Sequence, residues 1–208
     1  MRLVLVGGGG HASDVLSILE AQGNTHPVGV VADTEIDLRR FRHRGVEQWG
    51  SIDDLKRIDA THYVVAIGYS LPRQSVALRV AEFGLTPLTL IHPRACVPQG
   101  VPVGAGTVIL AGAIVSQMAT LGDHVCLHHN AVVGHDCAIG DFVTILPGAT
   151  VSGETSLGEA CLIGSGAVII EGRAIGPAAI VGAGAVVTRN VAAGVTVSGI
   201  PARRRASR

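Results

Sequence analysis

Histidines and one adjacent carboxylate are the residues of this chain whose types and spacing suit catalysis. Four of the nine histidines fall within twelve residues, at His124, His128, His129 and His135, and Asp136 directly follows the last of them. An imidazole takes up a proton near neutral pH, and an adjacent carboxylate stabilises the imidazolium. Clustered histidines also suit zinc. The cluster therefore leaves acid-base catalysis and metal binding open.

A run of glycines near the start of the chain fits a phosphate-binding turn. Gly7, Gly9 and Ala12 match the pattern GxGxxG/A, and Asp33 follows about 20 residues on, at a predicted strand end. The helix that begins near His11 offers free amide groups to an anion. A purely structural turn is the alternative. Because a dinucleotide needs a second binding half, the turn favours one mononucleotide or a nucleotide sugar.

The elements that position this turn alternate between strands and helices. Apolar runs at 3–6, 28–31 and 63–67 predict strands, a helix is predicted over 71–83 and another after the glycines, and a short strand is predicted near 88–91. This alternation is typical of a parallel sheet with helices packed on it. The first part of the chain is therefore predicted to be a half-Rossmann-like α/β domain.

The second part of the chain is periodic. From Ile91 through Ala192 it forms 17 hexads that all open with Ile, Leu or Val, and from Val103 onward the fifth position is Thr, Ala, Val or Cys except at Arg173. Both positions are expected to point into a narrow prism, in which three hexads form one 18-residue coil of a β-helix and coils stack about 4.8 Å apart. Glycines recur at the coil spacing at Gly104, Gly122, Gly140, Gly158 and Gly176. Periodicity leaves the handedness open.

Composition limits the partners and the location of the chain. The formal net charge is zero, which gives no general attraction for nucleic acid or an anionic membrane. No apolar stretch of about 18 residues and no signal-peptide pattern is present, so the protein is expected in the cytoplasm. The cysteines at 96, 126, 137 and 161 lack CxxC spacing, and small buried thiols are expected in preference to metal or redox groups.

Several motifs carry a resemblance that covers nearly the whole chain. They are GGGGHA with Asp33, AIG at 66–68, IHP at 91–93, AVVGHDCAIGDF at 131–142 and GIPAR at 199–203. With these motifs the chain resembles the left-handed β-helix nucleotide-sugar acetyltransferases, which include sialic acid O-acetyltransferases and UDP- or GDP-4-amino-sugar N-acetyltransferases. The resemblance implies a Rossmann-like nucleotide-sugar-binding domain over 1–90 and a left-handed parallel β-helix acyltransferase domain over 91–208.

The resemblance also implies an activity. We expect an acetyl-CoA-dependent enzyme that acetylates the amino group of a nucleotide-linked 4-amino-deoxysugar, with acetylation of a sugar hydroxyl as the alternative. The family implies a homotrimer in which acetyl-CoA lies between neighbouring β-helices. In such families the histidine of the GHDC motif, here His135, is the general base, and Asp136 orients it.

The expected binding residues fall into two groups. Glycine turns and strand ends predict nucleotide contacts from Gly8, Gly9, His11, Asp33 and Gly68. The family implies contacts to acetyl-CoA from Gly153, which lies 18 residues beyond His135, and near Gly182 and Pro201. A basic tail of Arg203, Arg204, Arg205 and Arg208 either touches the CoA phosphates or is solvated.

Two departures from the family pattern and two rival functions remain. Many members carry Asn where this chain has His128 and a second histidine where it has Thr144. A zinc-dependent β-helix enzyme is one rival. His129 and His135 fall on successive corners of the prism, so only an intersubunit site could use both, and no metal ligand is predicted. A catalytically silent binding solenoid is the other rival.

Overall fold

The chain begins with a parallel α/β sheet and continues as a parallel β-helix. The computed structural model describes residues 2–23 and 28–205. The first sheet contains β1 (Leu3–Val6), β2 (Val28–Val31), β3 (Glu47–Gly50), β4 (His62–Val65) and β5 (Thr86–Pro87), in the spatial order β3-β2-β1-β4-β5. The helices are α1 (Gly10–Ala21) and α2 (Ser70–Ala81), with shorter 3-10 helices at Leu38–Arg44 and Ile52–Lys56.

The central strand β1 is apolar throughout because helices cover both of its faces. Its four residues are fully buried, as expected for a parallel strand with helices on either side. Leu3 and Leu5 pack with the apolar stripe of α1, whereas Val4 and Val6 pack with α2 through Ala77. This packing places the carboxyl ends of the strands, and the loops that follow them, at one edge of the sheet.

The β-helix is a three-sided prism. Its first side consists of Leu90–Ile91, Val108–Ile109, Cys126–Leu127, Thr144–Ile145, Leu162–Ile163, Ile180–Val181 and Thr196–Ser198, with an antiparallel strand at Arg203–Arg204. The second side consists of Ile114–Val115, Val132–Val133, Thr150–Val151, Val168–Ile169 and Val186–Val187. The third consists of Thr120–Leu121, Ala138–Ile139, Ser156–Leu157 and Ala174–Ile175.

The predicted 18-residue coil is confirmed by the strand register. Cys126 pairs with Val108 on one side and Thr144 on the other, 18 residues away in each direction. The aliphatic first position and the small fifth position of the hexads form one buried core along the prism axis. At the corners from Gly100 to Gly184 the fourth position of the hexad takes a left-handed backbone, including non-glycine residues such as Asp136 with φ of 57°.

The regular register stops earlier than the sequence predicts. The prediction of unbroken hexads through Ala192 is wrong at the last coil, where Ile175 pairs with Val191 after only 16 residues. The Asn190 side chain accepts a hydrogen bond of 3.0 Å from the Ala174 amide and closes that corner with fewer residues.

The structure also refines the first domain. The predicted strand near 88–91 is two strands. Thr86–Pro87 belongs to the α/β sheet, whereas Leu90–Ile91 pairs with Val108–Ile109 of the β-helix. Strand β3 and the 3-10 helices were not predicted. No helix among residues 2–23 and 28–205 is long and apolar enough to cross a membrane.

A buried arginine joins the two domains. Arg73 of α2 is only 2% exposed. Its guanidinium donates hydrogen bonds to the carbonyls of His124 and Phe142 on the β-helix, at 2.9 and 2.8 Å, and to the carbonyl of Gly68 at 2.9 Å. Burial lowers the pKa of Arg73. Because a buried charge needs such partners, the contact holds the loop that contains Gly68 firmly against the prism.

Candidate active site

His135 and Asp136 lie together on an exposed corner of the prism, after the second side. The left-handed backbone of Asp136 turns its carboxylate back to His135, where Oδ2 accepts a hydrogen bond of 2.8 Å from Nδ1. The two side chains are 55% and 52% exposed. The hydrogen bond to Asp136 raises the pKa of His135. This arrangement fixes the ring tautomer and leaves Nε2 free to accept a proton.

The imidazole of His135 lies against Gly153 on the next coil. A Cβ added to Gly153 would lie 2.5 Å from Cε1 and 2.6 Å from Nε2 of that ring. The Gly153 amide donates to no backbone carbonyl within the part of the chain that the structure describes. The structure therefore brings together the predicted base, its carboxylate partner and one predicted acetyl-CoA contact.

A second site lies between the glycine turn and the corner that follows the first side. This cavity of about 450 Å³ is open to solvent, and we call it the turn pocket. It is lined by Gly7, Gly8, Gly9, Gly10, His11, Ala66, Ile67, Gly68, Tyr69, His128 and Leu146. Four of the five predicted nucleotide contacts therefore meet in one cavity.

The glycines of the turn have different surroundings. Gly7 has a φ of 103°, and a Cβ on Gly8 would collide with Ile36 at 2.3 Å. A Cβ on Gly9 would meet no atom within 4 Å, and one on Gly10 would meet only Arg40 Nη1, at 4.0 Å. Since Gly9 caps α1 and the first turn of α1 holds no acidic residue, the free amides of the helix face an open space suited to an anion.

The remaining predicted residues lie apart from these two sites. Asp33 follows β2 at the same edge of the sheet but lies outside the lining of the turn pocket, and its carboxylate pairs with Arg79 at 2.5 Å. That hydrogen bond lowers the pKa of Asp33. Gly182 stacks on Ser198. Pro201 is exposed near the end of the prism, and Arg208 lies outside the described residues.

Family models match both parts of the chain. The model described as the PglD N-terminal domain matches residues 2–80, and the model for bacterial transferase hexapeptide repeats matches residues 118–153. A curated UDP-N-acetylbacillosamine N-acetyltransferase from Bacillus subtilis is 35% identical over 117 residues. That alignment covers 53% of this chain and 51% of the relative, so the chain spans about half the length of the curated relative it matches.

Solved structures match over the full length. A histidine-to-asparagine variant of perosamine N-acetyltransferase from Caulobacter crescentus, in complex with CoA and GDP-perosamine, is 32% identical with a TM-score of 0.91. The match covers 100% of this chain and 98% of that chain. The chain belongs to the left-handed β-helix nucleotide-sugar acetyltransferases. The acetyltransferase domain of PglB from Neisseria gonorrhoeae is 31% identical, with a TM-score of 0.89 over 98% of this chain and 99% of that domain.

Membership of the nucleotide-sugar acetyltransferases confirms the predicted family and the predicted fold class, including the left-handed coil. The predicted enzyme class, an acetyl-CoA-dependent sugar N-acetyltransferase, is the class of these relatives. The predicted co-substrate, acetyl-CoA, agrees with these relatives, because the PglB domain was also solved in complex with acetyl coenzyme A.

The two departures from the nucleotide-sugar acetyltransferase pattern both lie where the domains meet. Thr144 is fully buried, and its hydroxyl donates to the carbonyl of Gly68 at 2.8 Å while accepting from Arg73 at 2.8 Å. It therefore faces the first domain, on a different side of the prism from His135. His128 lines the turn pocket, and its buried Nε2 has no hydrogen-bond partner among the described residues.

Cys126 is a pocket neighbour that sequence reasoning missed. Its thiol lies 3.3 Å from Nε2 of His11 and forms a buried cluster with His11 and His128. Burial raises the pKa of Cys126, but the two histidines outweigh it and hold that pKa well below its usual value. Burial likewise lowers the pKa of His11, but the facing thiolate and Asp14 raise it to about 9. His11 is far from Cys126 and His128 in sequence, so no spacing could reveal that the three residues meet.

The expectation of four buried thiols is wrong for Cys96, which is exposed. Cys96 and Cys126 both occupy the sixth, outward position of a hexad. Cys126 is on the first side, which the α/β domain covers, and Cys96 pairs with Ile114 on the second side. The packing of the first domain, which the hexad pattern does not specify, decides their exposure.

Proposed function

We propose that this chain transfers the acetyl group of acetyl-CoA to the amino group of a nucleotide-linked 4-amino-deoxysugar. The observation that carries the proposal is the His135–Asp136 pair, joined at 2.8 Å on an open corner against Gly153. The full-length likeness to an enzyme solved with CoA and GDP-perosamine supports this substrate class. That a single histidine of that relative was replaced by Asn or Ala supports a histidine in the chemical step.

In the proposed reaction, His135 Nε2 removes a proton from the sugar amine as its nitrogen attacks the thioester carbonyl. The tetrahedral adduct then breaks its carbon–sulfur bond, the leaving CoA sulfur takes the proton that His135 removed, and the amide remains on the sugar. Asp136 stabilises the imidazolium. The Gly153 amide is assigned to the developing oxyanion, because it lies beside the ring and has no carbonyl partner among the described residues.

The division of labour between the domains is part of the proposal. Residues 1–90 bind the nucleotide sugar through the turn pocket, and residues 91–208 carry acyl transfer. Gly9 and Gly10 support this assignment, since neither φ nor a neighbouring side chain accounts for glycine at these two positions. Asp33 keeps its predicted role as a contact to the ribose or the base. Because Arg79 already pairs with its carboxylate, we assign Asp33 no further role. Gly182 and Pro201 are assigned to the CoA chain.

We further propose a cytoplasmic homotrimer whose active sites are shared between chains. The turn pocket lies at the corner after the first side, whereas His135 lies at the corner after the second side. Exposed apolar side chains on the prism supply surface for association, among them Ile114, Met118 and Ile180. The proposed substrates are cytoplasmic metabolites.

Complementation tests the shared site. Gly9→Phe fills the turn pocket from a position with space for a side chain, and His135→Ala removes the proposed base. Each variant alone is expected to be inactive. Co-expressed chains are expected to form mixed trimers with measurable activity. Mixed trimers without activity would contradict a site that two chains share.

A substrate panel tests the reaction. CoA release is followed with UDP-, GDP-, dTDP- and CMP-linked sugars that carry either a 4-amino group or a hydroxyl at that carbon. We expect turnover of at least one nucleotide-linked amino sugar and none of its hydroxyl counterpart. Turnover of a sugar alcohol alone would replace the proposal with O-acetylation.

A further inference from the structure

The buried cluster of His11, Cys126 and His128 has the composition and geometry of a metal site. The three ligand atoms all lie within 4.8 Å of one another, and the Cys126 thiol is 3.3 Å from His11 Nε2. In a tetrahedral zinc site with two nitrogens and one sulfur, neighbouring ligand atoms are about 3.3–3.6 Å apart. Small side-chain rotations therefore suffice to bring all three atoms to bonding distance of one ion.

The polar atoms of the cluster are unsatisfied without an ion. All three residues are buried, and both His11 Nδ1 and His128 Nε2 lack a hydrogen-bond partner within residues 2–23 and 28–205. Buried polar groups without partners are rare because they lose the hydrogen bonds that water would supply. His11 Nδ1 faces Asp14, so among the described residues the unpartnered nitrogen on the side of the buried thiol is His128 Nε2, and it indicates that the cluster is built for a ligand.

The surroundings of the cluster also fit a cation. Asp14 Oδ2 lies 3.8 Å from Nδ1 of His11, on the other side of the ring from the thiol. A carboxylate in this position commonly orients a histidine that binds metal through its other nitrogen. The nearby Arg73 is fully engaged with carbonyl oxygens and the Thr144 hydroxyl. All of its donors are thereby satisfied within the protein, although its positive charge still lowers the pKa of His11.

We propose that His11, Cys126 and His128 bind one zinc-type divalent cation in the wall of the turn pocket. Two imidazoles and one thiolate are the donors that zinc prefers. His11 and His128 both line the cavity, so the fourth ligand position faces it and takes a water molecule. This site is separate from the His135 corner, and the proposal does not depend on the acetyl-transfer reaction.

Cobalt titration tests the site without any substrate. Purified, reduced protein is stripped with a chelator and titrated with Co²⁺, which reports thiolate ligation by a charge-transfer band and tetrahedral geometry by its visible bands. We expect one Co²⁺ per chain, displaced by one Zn²⁺. Absence of the charge-transfer band in the wild-type chain would overturn the proposal.

Matched variants locate the ion. Cys126→Ser is expected to lose the charge-transfer band and to weaken binding by at least about tenfold. Cys161→Ser removes another buried thiol, and we expect it to keep both the charge-transfer band and the wild-type affinity for Co²⁺. We expect the same of His135→Ala. An unchanged band in Cys126→Ser would place the ion elsewhere and contradict the proposal.

Alkylation of the wild-type chain keeps the proposal falsifiable if Cys126→Ser does not fold. Zn²⁺ is expected to slow the reaction of Cys126 with iodoacetamide, followed by peptide mass spectrometry. The exposed Cys96 serves as the internal reference whose rate stays constant. Equal rates for Cys126 with and without Zn²⁺ would mean that the cluster is only a hydrogen-bonded thiol–imidazole pair.

Discussion

Gly104 and Gly122 on the prism serve a different purpose from Gly9 and Gly10 in the glycine turn. On the corners of the prism, a Cβ on Gly104 would lie 2.3 Å from the backbone of Gly122, and one on Gly122 would lie 2.8 Å from the Asp141 amide. In the glycine turn, by contrast, a Cβ on Gly9 or Gly10 would meet no atom closer than 4.0 Å. The next coil requires glycine at 104 and 122, whereas Gly9 and Gly10 border an open pocket.

This difference shows how to separate structural glycines from binding glycines. Where the chain itself fills the space that a side chain would take, glycine is explained by packing. Where that space is open and the backbone is unstrained, packing gives no reason for glycine. A ligand whose phosphate approaches the backbone does give one. Substitutions by alanine in the two regions should therefore affect different properties.

Gly104→Ala should have the largest effect on stability. The added methyl group collides with the backbone of the adjacent coil, which cannot move without shifting the stack. We expect the free energy of unfolding to fall by about 1–3 kcal/mol, the usual range for overpacking. Chemical denaturation measures it. A loss below about 0.5 kcal/mol would show that the coils tolerate a side chain there.

Gly153→Ala should reduce turnover and leave the fold intact. The added methyl group would collide with the His135 ring, which is exposed and free to turn away. Displacing a catalytic group by about 1 Å costs up to roughly 100-fold, so we expect kcat to fall by about 10- to 100-fold. In a His135→Ala background the same substitution should have little further effect. Additive losses would contradict contact between the two residues.

Gly10→Ala should have the smallest effect on stability. Gly10 is the first residue of α1, and alanine at such a position changes stability by about +0.4 to +1 kcal/mol. The methyl group enters the turn pocket, so KM for the nucleotide sugar should rise severalfold while KM for acetyl-CoA stays the same. A loss of stability as large as that of Gly104→Ala would show that packing, and not a ligand, requires glycine at this position of the turn.

Periodicity made most of the fold predictable. Every hexad contributes the same two inward positions, so one pattern repeated along the chain predicts the coil length and the core. The glycine turn and its flanking strand and helix were also predictable, because the apolar run, the glycines and the helical pattern are each local features of the sequence. The shortened last coil was not predictable, since it depends on a hydrogen bond that the Asn190 side chain accepts from the Ala174 amide and that no periodicity encodes.

The candidate site was predictable where its residues are neighbours in sequence, stand one coil apart or, like Gly9 and Gly68, follow strands of the same parallel sheet. His135 and Asp136 are adjacent, and Gly153 follows His135 by one coil. The meeting of His11 with Cys126 depends instead on how α1 packs on the first side of the prism. A contact between residues 115 positions apart leaves no local signal. The same packing buries Thr144 against Gly68.

The pH dependence of kcat/KM tests most directly the claim that His135 is the general base. The hydrogen bond to Asp136 raises the pKa of His135 above its ordinary value of 6.5, and only the neutral ring accepts a proton. The value of kcat/KM should therefore fall as the pH drops through that raised pKa, and the midpoint of this acidic limb should lie above pH 6.5. Asp136→Asn should move this limb to lower pH.

His135→Ala supplies the decisive profile. Its kcat should be lower by on the order of 10² to 10⁴, with little change in the affinity for acetyl-CoA. The acidic limb that we assign to His135 should disappear from the pH profile of kcat/KM, and only the limb caused by titration of the acceptor amine should remain. A His135→Ala enzyme that keeps a near wild-type kcat and the same acidic limb would contradict the assignment of His135 as the base.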